Sequence, residues 1–583
     1  MRGQDIAGDI VGGVRAAGRL MAAAGASAAL WACLLSSGCE HNPFSRADSD
    51  LGERVPLERL RNVEPAGLEA YRKPVDTPAP DPQNLARQRF EGVEQLPLTL
   101  EECRASALTN NLDLKVALVD PAIADQAVLE EQARFEAAFT LRGLWSKTDS
   151  PSSTTLTGTQ SDLKSIEPGV RIPLRTGGTV SVGLPMARSS NNQAQTTLNP
   201  AYTSDLEVSL SHQLLRGAGR RANTASLRIA SYNQQVSQAA TKLEVIRQLA
   251  AVDRAYWLLY QARQELEVRL QQYDLAKAQL DRSDRRVQAG LSAEVEVIRA
   301  QAGVAERLEG IIVAQNTVLL RQREVKRIIN LPGLTIDTPV LLVAASLPDP
   351  VEFVFEPSAL TSQAVANRME MLQLELQLAA DAAEIAFNRN QSLPLLSLDY
   401  TYRINGLGGS LNDSFSTLGK NNFEDWQLGL SAEVPLGNEG ARARLRRSIL
   451  TRLARLNTKD SREQSIRQEV LNAIDVIDAS WQRVLAARQS VVLNNRTLLA
   501  EQRQFDVGNS TSTDVLDAAA RLAEAQSAEI RALTDYQIAQ VDLAFATGTV
   551  LGASKVEWEP QPSPKLGGPP GRARGAVRPP PRP

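Results

Sequence analysis

The sequence predicts a mainly α-helical protein with membrane β-strands, arranged as two tandem helix-strand-strand-helix repeats. Three observations predict it. First, two stretches run without a proline for 70 positions (Arg220 to Gly290) and 67 positions (Ala441 to Gly508). As continuous helix, the longer one would span about 105 Å. Second, the landmarks of one half recur in the other: Gly219 and Gly440 are 221 positions apart, and Gly290 and Gly508 are 218 apart. Agreement within three residues reads as an internal duplication. Third, short segments between the helical runs alternate strictly. Leu396, Leu398 and Tyr400 stand against Ser397, Asp399 and Thr401, the period of a strand with one apolar and one polar face.

Taken in order, the chain opens on an address. Arg2, Arg15 and Arg19 precede the apolar run Leu20–Leu35. That run is shorter than the roughly 20 residues a spanning helix needs, and it has the form of a signal segment. The following "LSSGCE" resembles the lipobox of bacterial lipoproteins, with Ser36 at the position usually held by Leu. Residues 1–38 are thus expected to be a lipoprotein-like signal peptide, with Cys39 as the lipid anchor. Residues 39–95, centred on "KPVDTPAPDPQN", read as a Pro-rich linker.

The first repeat, 96–335, begins with a helical pattern and enters strands at "FTLRGLW". The second, 336–555, repeats the plan from "EPSALTSQAVANRMEM" to "LLSLDYTY". Later, "LEVSLSHQLLRGAGRRANTASLRIAS" answers "WQLGLSAEVPLGNEGARARLRRSILT", each a strand, a Gly turn and a basic helix start. In the long runs, apolar residues recur at helical spacing (Leu243, Ile246, Leu249, Val252), so the helices must pack side by side as coiled coils. Gly290 and Gly508 mark the tips where each helical hairpin turns back. The first repeat carries an extra element: "VRIPLRTGGTVSVGL" reads as a hairpin turning at Gly177 and Gly178. Residues 556–583 are a Pro/Arg-rich tail of disordered composition.

Composition excludes several function classes. Net charge is −3, with no reason to expect nucleic acid. There are three cysteines and two histidines, with no CxxC or HExxH spacing, so no metal site is expected. No phosphate-binding loop, dinucleotide fingerprint or nucleophile elbow is present. No catalytic residue and no cofactor is expected, and the protein is not read as an enzyme.

The order of these parts, with tips of the form "VGNSTSTDVLDAAARLAEAQ" and the segments "ALTDYQIAQVDLAFATG" and "SHQLLRGAGRRANTASLRIAS", resembles the TolC-type outer-membrane efflux family over roughly residues 95–555. The lipobox-like start is similar to its lipid-anchored members. The resemblance implies a homotrimer. Each protomer usually gives four strands to one shared β-barrel, and the coiled-coil hairpins form a periplasmic α-barrel. It implies a passive exit duct of a tripartite efflux or type I secretion system, in the outer-membrane lipid, docked by a periplasmic adaptor (membrane fusion) protein and driven by an inner-membrane pump. The alternative from another class is a lipid-anchored coiled-coil envelope spacer without a pore.

The resemblance also assigns residues. Asp514 and Asp517 fall where the family's acids ring the periplasmic entrance, with Glu296 the acid of the other repeat. Six carboxylates around one mouth favour cations. The local alternative is that the acids serve the helix start, with Thr511, Ser512 or Thr513 as N-cap. In the family's best-known members, an arginine after the tip glycine and a tyrosine before it bond to that acid and lock the closed state. Here those positions hold Ser510 and Phe505, which implies a channel without that lock, resting on packing alone.

Overall fold

The structure is a computed structural model that describes residues 89–151, 158–193, 195–290, 293–559 and 577–578. The chain divides into units Met1–Pro80 and Asp81–Pro583; every described residue belongs to the second. The expected signal peptide, Cys39 and most of the linker and tail lie outside the described residues.

Strand β1 (Gln95–Leu98) leads into helix α1 (Leu100–Asn110) through a capping box. Thr99 Oγ1 accepts the Glu102 amide, and the Glu102 carboxylate accepts the Thr99 amide, so two orphan donors are satisfied. Asn111 ends α1 and caps α2 (Leu112–Ala117); α3 (Asp120–Ala133) follows with a proline in its first turn. Strands β2 (Ala138–Asp149), β3 (Gln160–Pro173), β4 (Gly178–Gly183), β5 (Met186–Asn191), β6 (Ala201–Ser204) and β7 (Leu206–Gln213) come next.

The short α4 (Arg220–Asn223) then gives way to α5 (Ala225–Gln288), of 64 residues. At 1.5 Å per residue α5 is about 96 Å long. The tip turn at Gly290 leads to α6 (Glu294–Ile329), then β8 (Leu341–Ala344). The second repeat runs through α7 (Pro357–Asn367), α8 (Met369–Gln391), β9 (Leu395–Ile404), β10 (Leu407–Gly408), α9 (Leu411–Lys420) and β11 (Glu424–Glu433). Its own long helix, α10 (Glu439–Asp506, 68 residues), turns at Gly508 into α11 (Ser512–Thr547); α12 (Val550–Ala553) and β12 (Glu557–Trp558) close it.

Returning helices α6 and α11 have 36 residues each, so they cover only part of α5 and α10. The short helices α1–α3, α7 and α8 pack along the remainder. The apolar stripe read from the sequence is the buried one: Leu243, Ile246, Leu249 and Val252 are all interior. With Tyr256, Trp257, Val325 and Ile329 the last of them reaches a core that also holds Cys103. Burial pushes the Cys103 thiol up to about 12, leaving it inert as a nucleophile. Trp481 and Tyr536 pack in the second repeat's core, with ring centroids 5.6 Å apart. β1 and β8 pair in parallel, Gln95 opposite Leu341, and so tie the start of the first repeat to the segment after α6.

Buried charges are matched. Arg104 on α1 makes a bidentate pair with Asp253 on α5, both bonds 2.7 Å. Arg368 bridges Glu370 (2.8 Å) and Glu469 (2.9 Å) and donates to the Ala546 carbonyl. Lys326 is buried and its ammonium donates to the Thr338 and Val340 carbonyls at 2.8 and 2.9 Å; burial lowers its pKa. Among the described residues no helix is long and apolar enough to cross a membrane.

Candidate functional site

The far end of the helical hairpins carries the residues singled out by sequence. Gly290 (φ 71°) and Gly508 (φ 85°) end α5 and α10 in the left-handed region, where a side chain would be strained. Gly290 N–H bonds the Val287 carbonyl and Gly508 N–H the Phe505 carbonyl, at 2.9 and 3.0 Å. The expected tip turns stand at these positions.

Helix α11 starts on a second capping box. Thr511 Oγ1 accepts the Asp514 amide at 3.3 Å, and Asp514 Oδ2 accepts the Thr511 amide at 2.9 Å. The Thr511 hydroxyl also donates to Asp514 Oδ2 at 2.6 Å, and that of Ser510 at 3.3 Å. These bonds, the Thr511 hydroxyl foremost, hold the exposed Asp514 carboxyl below its ordinary range. Asp514 therefore does serve the helix start, with Thr511 as the N-cap among the three candidates. Asp517, three residues on, is exposed as well. The three-residue spacing puts both acids on one helical face.

Glu296, near the start of α6, is largely buried, with 14% of its side chain exposed. Its Oε2 accepts the Ser512 amide at 3.3 Å and its Oε1 pairs with Arg299 at 2.8 Å. It thus satisfies an orphan amide at the N-terminus of the other repeat's helix. Phe505 is buried at 5% exposure, under the Arg286 guanidinium 4.8 Å from its ring centroid. Arg286 also donates to the Phe505 carbonyl. Ser510 Oγ donates to Glu501 at 2.9 Å. So Glu296 meets neither Ser510 nor Phe505, yet the two tips are joined by more than packing. Arg286 and Glu296 of the first repeat grip Phe505 and Ser512 of the second.

Sequence reasoning missed Arg286, Glu501 and the buried pair Gln279 and Ser283, and named Ser512 only as an N-cap candidate. Gln279 Nε2 reaches Ser512 Oγ at 3.3 Å, and Ser283 Oγ lies 3.4 Å from it. Arg286 follows Arg285 in the last turn of α5, which pointed to it only as a charge near a helix C-terminus. Nothing in the sequence separates Ser512 from its hydroxyl neighbours. Leu516 seals the joint from below, against Gly303, Tyr273 and Val304.

At the opposite end strands β2–β7 and β9–β11 form one antiparallel sheet, β2 and β11 at its free edges. Apolar and polar ladder rows alternate across it. Exposed Phe139, Trp426, Leu428 and Leu430 lie on one face, and the Arg403–Glu207 pair (2.6 Å) on the other. Trp145, Tyr400, Tyr402 and Trp426 all occupy the apolar face. A long helical hairpin bundle carrying such a sheet is the protomer of an outer-membrane channel.

Residues 360–549 match the family described as "Outer membrane efflux protein". The chain is 26% identical to the outer membrane protein TolC of Vibrio cholerae over 54% of its length and 69% of that protein's. It is 25% identical to TolC of Escherichia coli, over 51% of this chain and 60% of that protein. The fold superposes on the Campylobacter jejuni CmeC outer membrane channel with a TM-score of 0.57 at 16% identity, over 77% of this chain and 85% of that one. These likenesses together support reading the chain as a TolC-type outer-membrane efflux protein. It is an outer-membrane efflux channel with a large periplasmic part. The pore-free spacer is not favoured, since a rod needs no alternating sheet.

Proposed function

We propose that three copies of this chain assemble into the passive exit duct of a tripartite efflux or secretion system. An inner-membrane pump drives transport, and a periplasmic adaptor docks at the tips around Gly290 and Gly508. Asp514 and Asp517 of the three copies form an acidic ring at the entrance, with Glu296 behind it bracing the helix start. The observation that carries this is the tip itself: two exposed carboxylates on one helical face, one held ionised by its cap, beside a turn fixed by the other repeat. A ring of carboxylates in a narrow mouth raises local cation concentration and repels anions. Cys39 is the proposed lipid anchor after removal of residues 1–38. Residues 39–95 link it to the first repeat (96–335), the second repeat is 336–555, and the tail is 556–583.

The test is single-channel conductance of the purified protein in a planar bilayer, beside an Asp514→Asn/Asp517→Asn variant. Asparagine keeps the cap acceptor while removing charge, so the fold stays and the ring goes. Cation-preferring currents whose preference falls in the variant support the reading. Equal preference in both proteins sinks the ring, and a folded assembly of other than three copies sinks the trimer.

A further inference from the structure

Among the described residues, the nine strands of the main sheet reduce to six rails. β4 and β5 keep one register against β3: Gly169 faces Gly183 and Ile166 faces Met186, on a single antiparallel ladder interrupted at Leu184 and Pro185. β6 and β7 likewise continue one another opposite β5 and β4, and β9 and β10 opposite β7 and β6. The sheet is therefore an up-and-down meander in chain order: β2, β3, β4–β5, β6–β7, β9–β10, β11. The hairpin of β3 and β4–β5 stands inside it, with β2 hydrogen-bonded to β3 and β7 to β4.

Ladder rows crossing all six rails alternate in chemistry. One row reads Trp426, Tyr402, Val208, Val182, Val170 and Phe139, apolar throughout. The adjacent row reads Gln427, Thr401, Ser209, Ser181, Arg171 and Ala138. The hairpin thus carries the lipid-facing and lumen-facing pattern in phase with its neighbours. Its inner turn is built into the strand-to-helix junction: Gly219 N–H donates to the Thr176 carbonyl at 2.9 Å, and Gln213 N–H to that of Gly177 at 3.3 Å. A Cβ at Gly177 would overlap the Gly217 carbonyl oxygen.

We propose that this hairpin is part of the membrane wall, so that each protomer supplies six strands and a trimer closes an eighteen-stranded barrel. The twelve-stranded barrel implied by four strands per protomer would leave Val170 and Val182 without a place in the apolar band. The free edges of β2 and β11 pair with those of neighbouring copies, because lipid offers no hydrogen-bond partner to unpaired backbone groups. Their charges are complementary: β11 carries Glu424, Asp425 and Glu433, and β2 carries Arg142 and Lys147 beside one acid, Asp149. Barrel diameter grows about linearly with strand number, so the wall is about 1.5 times as wide as a twelve-stranded one. The closure rests on the trimer proposed above; the hairpin's place in the wall does not.

The test uses the full chain reconstituted in phospholipid vesicles, with single cysteines at Val170, Val182, Arg171 and Ser181 in a Cys103→Ser background. Aqueous maleimide is expected to label R171C and S181C and to lose V170C and V182C, whose attached fluorophores a brominated lipid quenches. Equal labelling at all four places the hairpin outside the wall and overturns the proposal. Electron cryomicroscopy of the unmodified assembly then counts strands. Eighteen in a three-copy particle supports the closure, and twelve overturns it. Six strands per copy in a particle of another stoichiometry supports the hairpin assignment and overturns the trimer.

Discussion

Asp514 ties a local bond to a channel property. Its carboxylate accepts from the Thr511 hydroxyl and amide and from the Ser510 hydroxyl, which lowers its pKa. A depressed folded pKa means a charge that persists as pH falls through the ordinary Asp range, near 3.9. The stability gained from it is present above the unfolded pKa and is lost only as pH drops through the folded one. Cation preference at Asp514 should therefore survive below the usual carboxylate range. Thr511→Val keeps the side chain's shape and removes the hydroxyl, so preference should be lost at higher pH than in the wild type. Reversal potentials across a pH series check this; superimposable profiles would disconnect the cap from the ring. At Glu296, the carboxylate stands between α6 and the Ser512 amide. Glu296→Ala leaves that amide without its acceptor and should raise resting conductance more than Glu296→Gln, which retains one. Identical traces for the two variants would mean that the contact does not hold the tip.

At the scale of elements, the joints depend on paired charge and on backbone room. Asp253 is 3% exposed at its side chain and its bidentate partner is Arg104. Arg104→Ala would leave a buried carboxylate unpaired, at a cost of about 3–5 kcal/mol. Its effect should appear as a lowered unfolding temperature, with more hydrogen exchange at the α1–α5 contact. A change as small as that of a surface Arg→Ala would show that water reaches Asp253. Much at this scale was legible beforehand. Helical spacing marked Leu243, Ile246, Leu249 and Val252, and the tip glycines marked the turns, because period and positive φ are properties of local sequence. Asp514 and Asp517 were singled out by the resemblance, through their place after the tip glycine. The grip of Arg286 and Glu296 was not. It joins residues about 220 positions apart, and which side chains meet depends on how two hairpins pack. The hairpin at Gly177 and Gly178 was visible as a hairpin, but alternation says which faces a strand has and not which neighbour it pairs with.

For the whole molecule, two hairpins of nearly equal length are fastened along their sides. Arg254 on α5 meets Asp542 on α11 at 2.6 Å, and Glu265 on α5 meets Arg531 on α11 at 2.8 Å. These pairs are partly exposed, so each contributes about 0–1 kcal/mol, and the joint rests mainly on Leu516 and the apolar rows beneath. The sheet has no such closure within one chain. Its first and last strands end on open edges, and both carry large exposed apolar side chains: Phe139 and Trp145 on β2, Trp426 and Leu430 on β11. A lone protomer can satisfy neither the edges nor the lipid boundary, whereas a ring of copies satisfies both. Folding of the sheet should therefore be linked to assembly, and its stability should rise with protein concentration. In detergent, the midpoint of heat unfolding read by β-sheet circular dichroism should increase as protomer concentration is raised, with the assembled species lost in the same transition. A midpoint independent of concentration, with dissociated protomers retaining the sheet signal, would mean that one chain closes its own wall.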